Sequence, residues 1–173
     1  MTLQELATAP SETAADGRHD FDFLFGEWRL ANRKLVDPLA DGPPEWVEFA
    51  ATAVAAPILG WLGNTDSISA PDFPGRPGFY GFSLRLFDPG ERVWRIWWAS
   101  SVAGGLLDTP VVGRFSDGEG RFECDDVLGG REVGVRYDWT DITPTSARWT
   151  QSFSFDGGTT FEPNWFIELT RLR

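Results

Sequence analysis

The chain has 173 residues, 42% of them hydrophobic and 14% aromatic, with nine tryptophans and 14 phenylalanines. That length and aromatic load exclude a disordered chain and suffice for one sizeable core without disulfide or metal staples. Twenty-six acidic residues against 15 basic ones give a net charge of -11, a surface that repels phosphate backbones and anionic lipid, so neither nucleic-acid nor membrane-surface binding is expected.

Lys34 is the single lysine, which makes the arginines the cations of interest, because a guanidinium tolerates partial burial and stacks on rings. Cys124 is the single cysteine, so no internal disulfide is possible and a reducing cytoplasm is the expected setting. The N-terminal stretch lacks a basic start followed by an apolar core and does not read as a secretory signal. No run approaches the length needed to cross a bilayer.

In chain order, residues 1–18 are polar and small, with at most a helical turn around Leu3 to Ala7, and read as a flexible lead-in to a single domain over 19–173. The segment HDFDFLFGEW at 19–28 alternates and then bunches its apolar residues, as a short plug feeding a first strand does. Strands are predicted at 28–36, 45–54, 61–69, 79–87, 92–100, 110–116, 120–127, 131–139, 147–155 and 161–171. Between them lie turn signals such as Asp41-Gly42-Pro43-Pro44, Asp88-Pro89-Gly90-Glu91, Asp117-Gly118, Gly129-Gly130 and Asp156-Gly157-Gly158. Ser154 to Phe161 resembles an Asp-box, but a propeller needs several copies and one is present, so a well-made hairpin turn is the plainer reading.

Ten short strands joined by turns too short for a crossover helix imply an antiparallel meander. No long segment shows a 3.6-residue apolar period, which counts against α/β folds and helix-closed α+β barrels. So many large apolar side chains exceed what one flat sheet buries, whereas closing the sheet solves both core and edges. The expected architecture is an all-β, up-and-down antiparallel barrel of the calycin kind, with a two-sheet sandwich as the alternative.

Several stretches carry a resemblance: HDFDFLFGEW at 19–28, SLRLFDP at 83–89, PVVGRFSDG at 110–118, DITPTSARW at 141–149 and FSFDGGTTFEPNW at 153–165. On these the chain resembles a bacterial domain-of-unknown-function family with a calycin-like barrel, related at fold level to lipocalins, fatty-acid-binding proteins and nitrobindins. The resemblance implies fold more than function. Histidines common in such sequences after the Gly-x-Trp are replaced here by Arg29-Leu30-Ala31-Asn32-Arg33.

The hairpin at 79–101 offers the sharpest site hypothesis. If Phe87 pairs with Arg92, Arg85 lies opposite Trp94 and shares a face with Ser83, Ile96 and Trp98, while Phe82, Leu84, Leu86 and Trp97 form the other face and meet the plug or a second subunit. Arg85 then either anchors a ligand carboxylate or carbonyl among aromatics or pairs internally with Asp66 or Glu168. In the last hairpin Trp149, Gln151 and Phe153 share a face, and a symmetric turn sets Asn164 opposite Gln151 and Phe166 opposite Trp149. Arg114 and Arg136 are further candidates for a cationic pocket. Trp28 and Trp165 read as core, and Asn64 and Asp66 as residues of a barrel mouth.

No nucleophile elbow, phosphate loop, dinucleotide fingerprint or metal-ligand cluster appears, and no cofactor or metal is expected. His19, the only histidine, reads as a plug residue bonded to a neighbouring aspartate. Asp125 and Asp126 beside Cys124 disfavour a reactive thiolate. The sequence thus points to a binder of a small, largely apolar ligand with an acidic or carbonyl group, contacted by Arg85, Trp94, Trp98, Arg114, Arg136, Trp149, Gln151 and Asn164. The alternative is a cofactor-independent isomerase, cyclase or hydratase using Asp66, Glu168 or Tyr137 as acid or base. Haem binding is an outside option, and a homodimer is the expected assembly.

Overall fold

The computed structural model describes residues 16–172. Ten strands follow one another: β1 (Gly26–Leu35), β2 (Trp46–Ile58), β3 (Gly63–Ala70), β4 (Phe79–Asp88), β5 (Val93–Ser100), β6 (Val111–Ser116), β7 (Glu119–Leu128), β8 (Arg131–Thr140), β9 (Ser146–Ser154) and β10 (Glu162–Arg171). Each pairs antiparallel with its sequence neighbours, and β1 pairs with β10 from Trp28 opposite Arg171 to Lys34 opposite Trp165, so the sheet is a closed up-and-down barrel. Every strand therefore has a partner on both sides, the shortest ladder being β5–β6 over Trp94–Ile96, and closure is how an aromatic-rich meander avoids edge-to-edge aggregation. The predicted strands all occur, with ends shifted by a few residues. The largest shift is at the end of β2, which runs to Ile58, four residues past the expected 54; a 3₁₀ turn (Leu59–Trp61) then precedes β3. The helical turn expected around Leu3 to Ala7 lies outside the described residues. No helix among them is long and apolar enough to cross a membrane.

Strict alternation builds the lumen. On β2, Phe49, Ala51, Ala53 and Ala55 are buried while their neighbours are exposed, and the three small alanines leave space opposite the bulkier strands. A 3₁₀ turn (Asp22–Leu24) plugs one end. Its Phe21 is fully buried, with ring centroids of Trp94 and Phe115 each 5.0 Å away. His19 Nδ1 lies 2.8 Å from Asp22 Oδ2, the plug contact expected of it. Trp28 donates to Leu24 O at 2.7 Å, and Arg171 lies 4.3 Å over the Trp28 ring while donating to the carbonyls of Phe23 and Phe25. The plug is therefore tied to the seam where the first and last strands close.

Two hairpins differ from expectation in register. In β4–β5, Asp88 stays in the ladder opposite Val93, and its side-chain Oδ1 accepts from the amides of Gly90 and Glu91. Arg92 takes a left-handed φ of 57° and so leaves the ladder, and Arg85 faces Ile96 instead of Trp94. The slip is two residues, so the faces are unchanged: Ser83, Arg85, Ile96 and Trp98 point inward and Phe82, Leu84, Leu86 and Trp97 outward. The second face is turned away from the lumen, with Phe82 exposed and Leu84, Leu86 and Trp97 half-buried. In β9–β10, the register shifts between Pro163 and Trp165, setting Trp165 opposite Gln151 and Ile167 opposite Trp149. Phe166 consequently points outward, beside Trp46 and Arg33. A bulge of this kind adds one residue and inverts the facing of everything beyond it.

The turn at Asp156 is a well-made hairpin connection: Oδ1 accepts from Ser154 Oγ and from the amides of Thr159 and Thr160. The Thr160 hydroxyl, foremost among these donors, holds the carboxyl down at about 2.

Candidate functional site

The barrel encloses a cavity of about 60 Å³, room for on the order of four waters at the ~15 Å³ each requires. Its walls are mainly apolar and aromatic: Trp28 and Leu30 from β1, Ala53 and Ala55 from β2, Ile96 and Trp98 from β5, Tyr137 and Trp139 from β8, Trp149 from β9, Trp165 and Ile167 from β10. Three indoles meet edge to face at one side, with Trp165 centred 5.5 Å from Trp149 and 5.9 Å from Trp98. Tyr137 packs against Trp149 at 4.9 Å. Trp98 lies over Gly81, where a Cβ would stand 2.2 Å from its ring, so glycine is required for the indole to sit there.

The polar side is a small network. Arg85 is 4% exposed, Asp66 6% and Asn64 0%. Arg85 Nη2 donates to Asp66 Oδ2 at 2.6 Å and Nη1 to Asn64 Oδ1 at 3.1 Å. The guanidinium also lies 5.2 Å from the Phe21 ring centre and 5.9 Å from that of Trp139. The internal-pair reading of Arg85 is thus met by Asp66, and Asn64 and Asp66 lie inside the barrel instead of at a mouth. Arg85 Nε, Asp66 Oδ1, Asn64 Nδ2 and Trp139 Nε1 are buried with no hydrogen-bond partner among the described residues. Unpartnered buried donors and acceptors of this density cost free energy unless something polar meets them. Across the cavity, Gln151 donates to Asn164 Oδ1 at 2.8 Å, although Asn164 sits in the bulge and not directly opposite.

The other sequence candidates separate cleanly. Trp98, Trp149, Gln151 and Tyr137 line the cavity together with Arg85 and Asp66. Trp94 is buried but belongs to the plug end, donating to Gly17 O at 3.0 Å and packing on Phe87. Arg114 is exposed on the outside of β6. Arg136 is also outside, paired with Glu123 at 2.6 Å and stacked 3.6 Å over Phe161. Glu168 lies on the outer face, bonded to Arg148 at 2.8 Å, because the β9–β10 bulge reverses its facing. It cannot act as acid or base in the cavity. Burial, aided by the Asp108 carboxylate, pushes the Tyr137 phenol above its ordinary range and keeps it neutral. Cys124 is likewise pushed up to about 11, by burial and then by Asp126 and Asp125.

Trp28, Trp139 and Trp165 line the cavity too, which the sequence reading did not assign to them. Their signal was alternation: Val133, Val135, Tyr137 and Trp139 fall on one face of β8. Among the described residues, no group of three or more His, Cys, Asp or Glu stands where it could hold a metal ion. No protein-family model matches the chain, and no curated protein matches it.

Proposed function

We propose that the protein binds a small, largely apolar molecule in the barrel cavity, with a carbonyl or hydroxyl of that molecule meeting the polar side at Arg85 and Trp139. The observation carrying this reading is the conjunction of a mostly aromatic cavity with buried polar atoms that lack partners. Because Asp66 already neutralises Arg85 at 2.6 Å, a neutral dipole suits the interior better than a carboxylate, which would lie close to a second negative charge. A calycin-like kinship accords with the ten-stranded closed barrel.

Binding is favoured over catalysis. Glu168 lies outside, Tyr137 is held as a neutral phenol, and the Asp66 carboxylate is tied to Arg85 through Oδ2, which lowers its basicity and argues against its serving as a strong base. The test is a tryptophan-fluorescence titration with small aryl ketones and aryl alcohols, run on the native protein and on Ala53→Phe. Ala53 lines the cavity, so the added ring fills it. Saturable changes in the native protein that vanish in Ala53→Phe support the reading, and identical responses from both proteins refute it.

A further inference from the structure

Beyond the cavity, at the barrel end away from the plug, Lys34 is the one cation among the described residues that is largely buried without an ion pair. It lies on the inward face of β1, in step with buried Trp28, Leu30 and Asn32, and it pairs with Trp165 and Val47 across the seam. Its ammonium nitrogen stands 3.9 Å from the centre of the Trp165 ring, and Trp165 is also a wall of the cavity. Arg76, on the 71–78 loop, is exposed and lies 5.7 Å from the ring centre of Phe73. That ring stacks on Phe49 at 3.9 Å and so covers the same end.

Neither cation has an ion pair or a side-chain hydrogen bond among the described residues; several exposed arginines also lack an ion pair, but Lys34 lacks one while lying on the inward face of β1 and largely buried, whereas the other buried cation, Arg85, is paired with Asp66. In a chain with 26 acidic residues against 15 basic ones, two cations at one end of the barrel with no carboxylate at ion-pair distance among the described residues run against the average composition of the surface. Burial lowers the Lys34 amine to about 8, and the Arg76 guanidinium adds to the fall, so the two positive groups repel one another. Among the described residues, no carboxylate is near enough to oppose that repulsion. The Trp165 ring attracts the ammonium, while its burial and the repulsion between the two like charges work against it, and an anion joining them relieves that repulsion.

We infer that Lys34 and Arg76 form an anion site at the barrel mouth, which takes the carboxylate of an aryl or alkyl acid whose apolar end enters the cavity past Trp165. The inference rests on the cavity-binding reading and refines it, by placing the acidic group at the mouth and leaving the Arg85–Asp66 side to a neutral group. The two cations hold the acid end, and the tryptophans hold the apolar end.

The experiment compares 4-phenylbutyrate with 4-phenylbutan-1-ol by titration calorimetry on the native protein, Lys34→Met and Arg76→Gln. Arg76 is exposed on a loop, so its variant folds even where Lys34→Met is disturbed. The native protein is expected to bind the acid about tenfold more tightly than the alcohol, the difference made by roughly one charge-assisted contact. Each variant is expected to lose most of that preference while its affinity for the alcohol stays within about twofold. Equal binding of acid and alcohol by the native protein, or a preference that survives both substitutions, overturns the anion site while leaving the cavity reading standing. Binding of neither compound overturns both.

Discussion

Replacing Arg85 by methionine leaves Asp66 inside the barrel without its cation. Both side chains are nearly inaccessible, at 5% and 7%, and their closest atoms are 2.6 Å apart. Breaking one half of such a buried pair costs about 3–5 kcal/mol, since the remaining charge is left buried and uncompensated. At 173 residues, roughly 2–4 °C of melting temperature accompanies each kcal/mol, so Arg85→Met is expected to melt about 10 °C lower. The assay is urea unfolding followed by tryptophan fluorescence, with Arg85→Met/Asp66→Leu alongside. Removing both charges is expected to restore most of the loss, because an apolar pair of similar volume is often as good as a buried ion pair. A loss below about 1 kcal/mol in the single variant, or a double variant no better than the single, would refute a dry internal ion pair.

Three further outcomes follow from the geometry. Gly81→Ala places a methyl 2.2 Å from the Trp98 ring, so Trp98 is expected to move and its near-ultraviolet circular dichroism to change; an unaltered spectrum would contradict the close contact. The Lys34 amine, lowered from 10.5 to about 8, binds its proton less tightly in the folded chain than in the unfolded one. Stability should therefore rise by about 2 kcal/mol between pH 8 and 10.5 relative to Lys34→Met, in which this increment is missing. Taking that difference also removes the opposing effect of Cys124, whose thiol is raised to about 11 and so loses stability over the higher part of the range. At pH 7.5 the same thiol should react with iodoacetamide about 100-fold more slowly than an ordinary cysteine, in line with its thiolate fraction; a rate within tenfold of free cysteine would show it is not held protonated.

The ten strands were legible because two local signals coincide, side-chain alternation and turn dipeptides such as Asp117-Gly118 and Gly129-Gly130, whose glycines all take positive φ. Closure followed from the count of large apolar residues. Register was not legible to the residue. The β4–β5 slip of two was harmless, since a period of two returns Arg85 and Trp98 to the same face. The β9–β10 bulge shifts by one, and that single residue moved Phe166 and Glu168 from the expected lumen to the outside. Asn164 and Trp165 are adjacent yet both buried, which strict alternation forbids and a bulge permits. Lys34 was legible and passed over: counting by twos from Trp28 places it inward.

Native mass spectrometry of the purified protein and of Ala53→Phe tests cavity binding most directly, because Ala53 is part of the cavity wall. The account predicts that incubation with a small aryl ketone adds one ligand mass to the native protein and none to the variant. A native protein that stays at its bare mass across aryl ketones, alcohols and acids, or a variant that takes up the ligand equally, would contradict it.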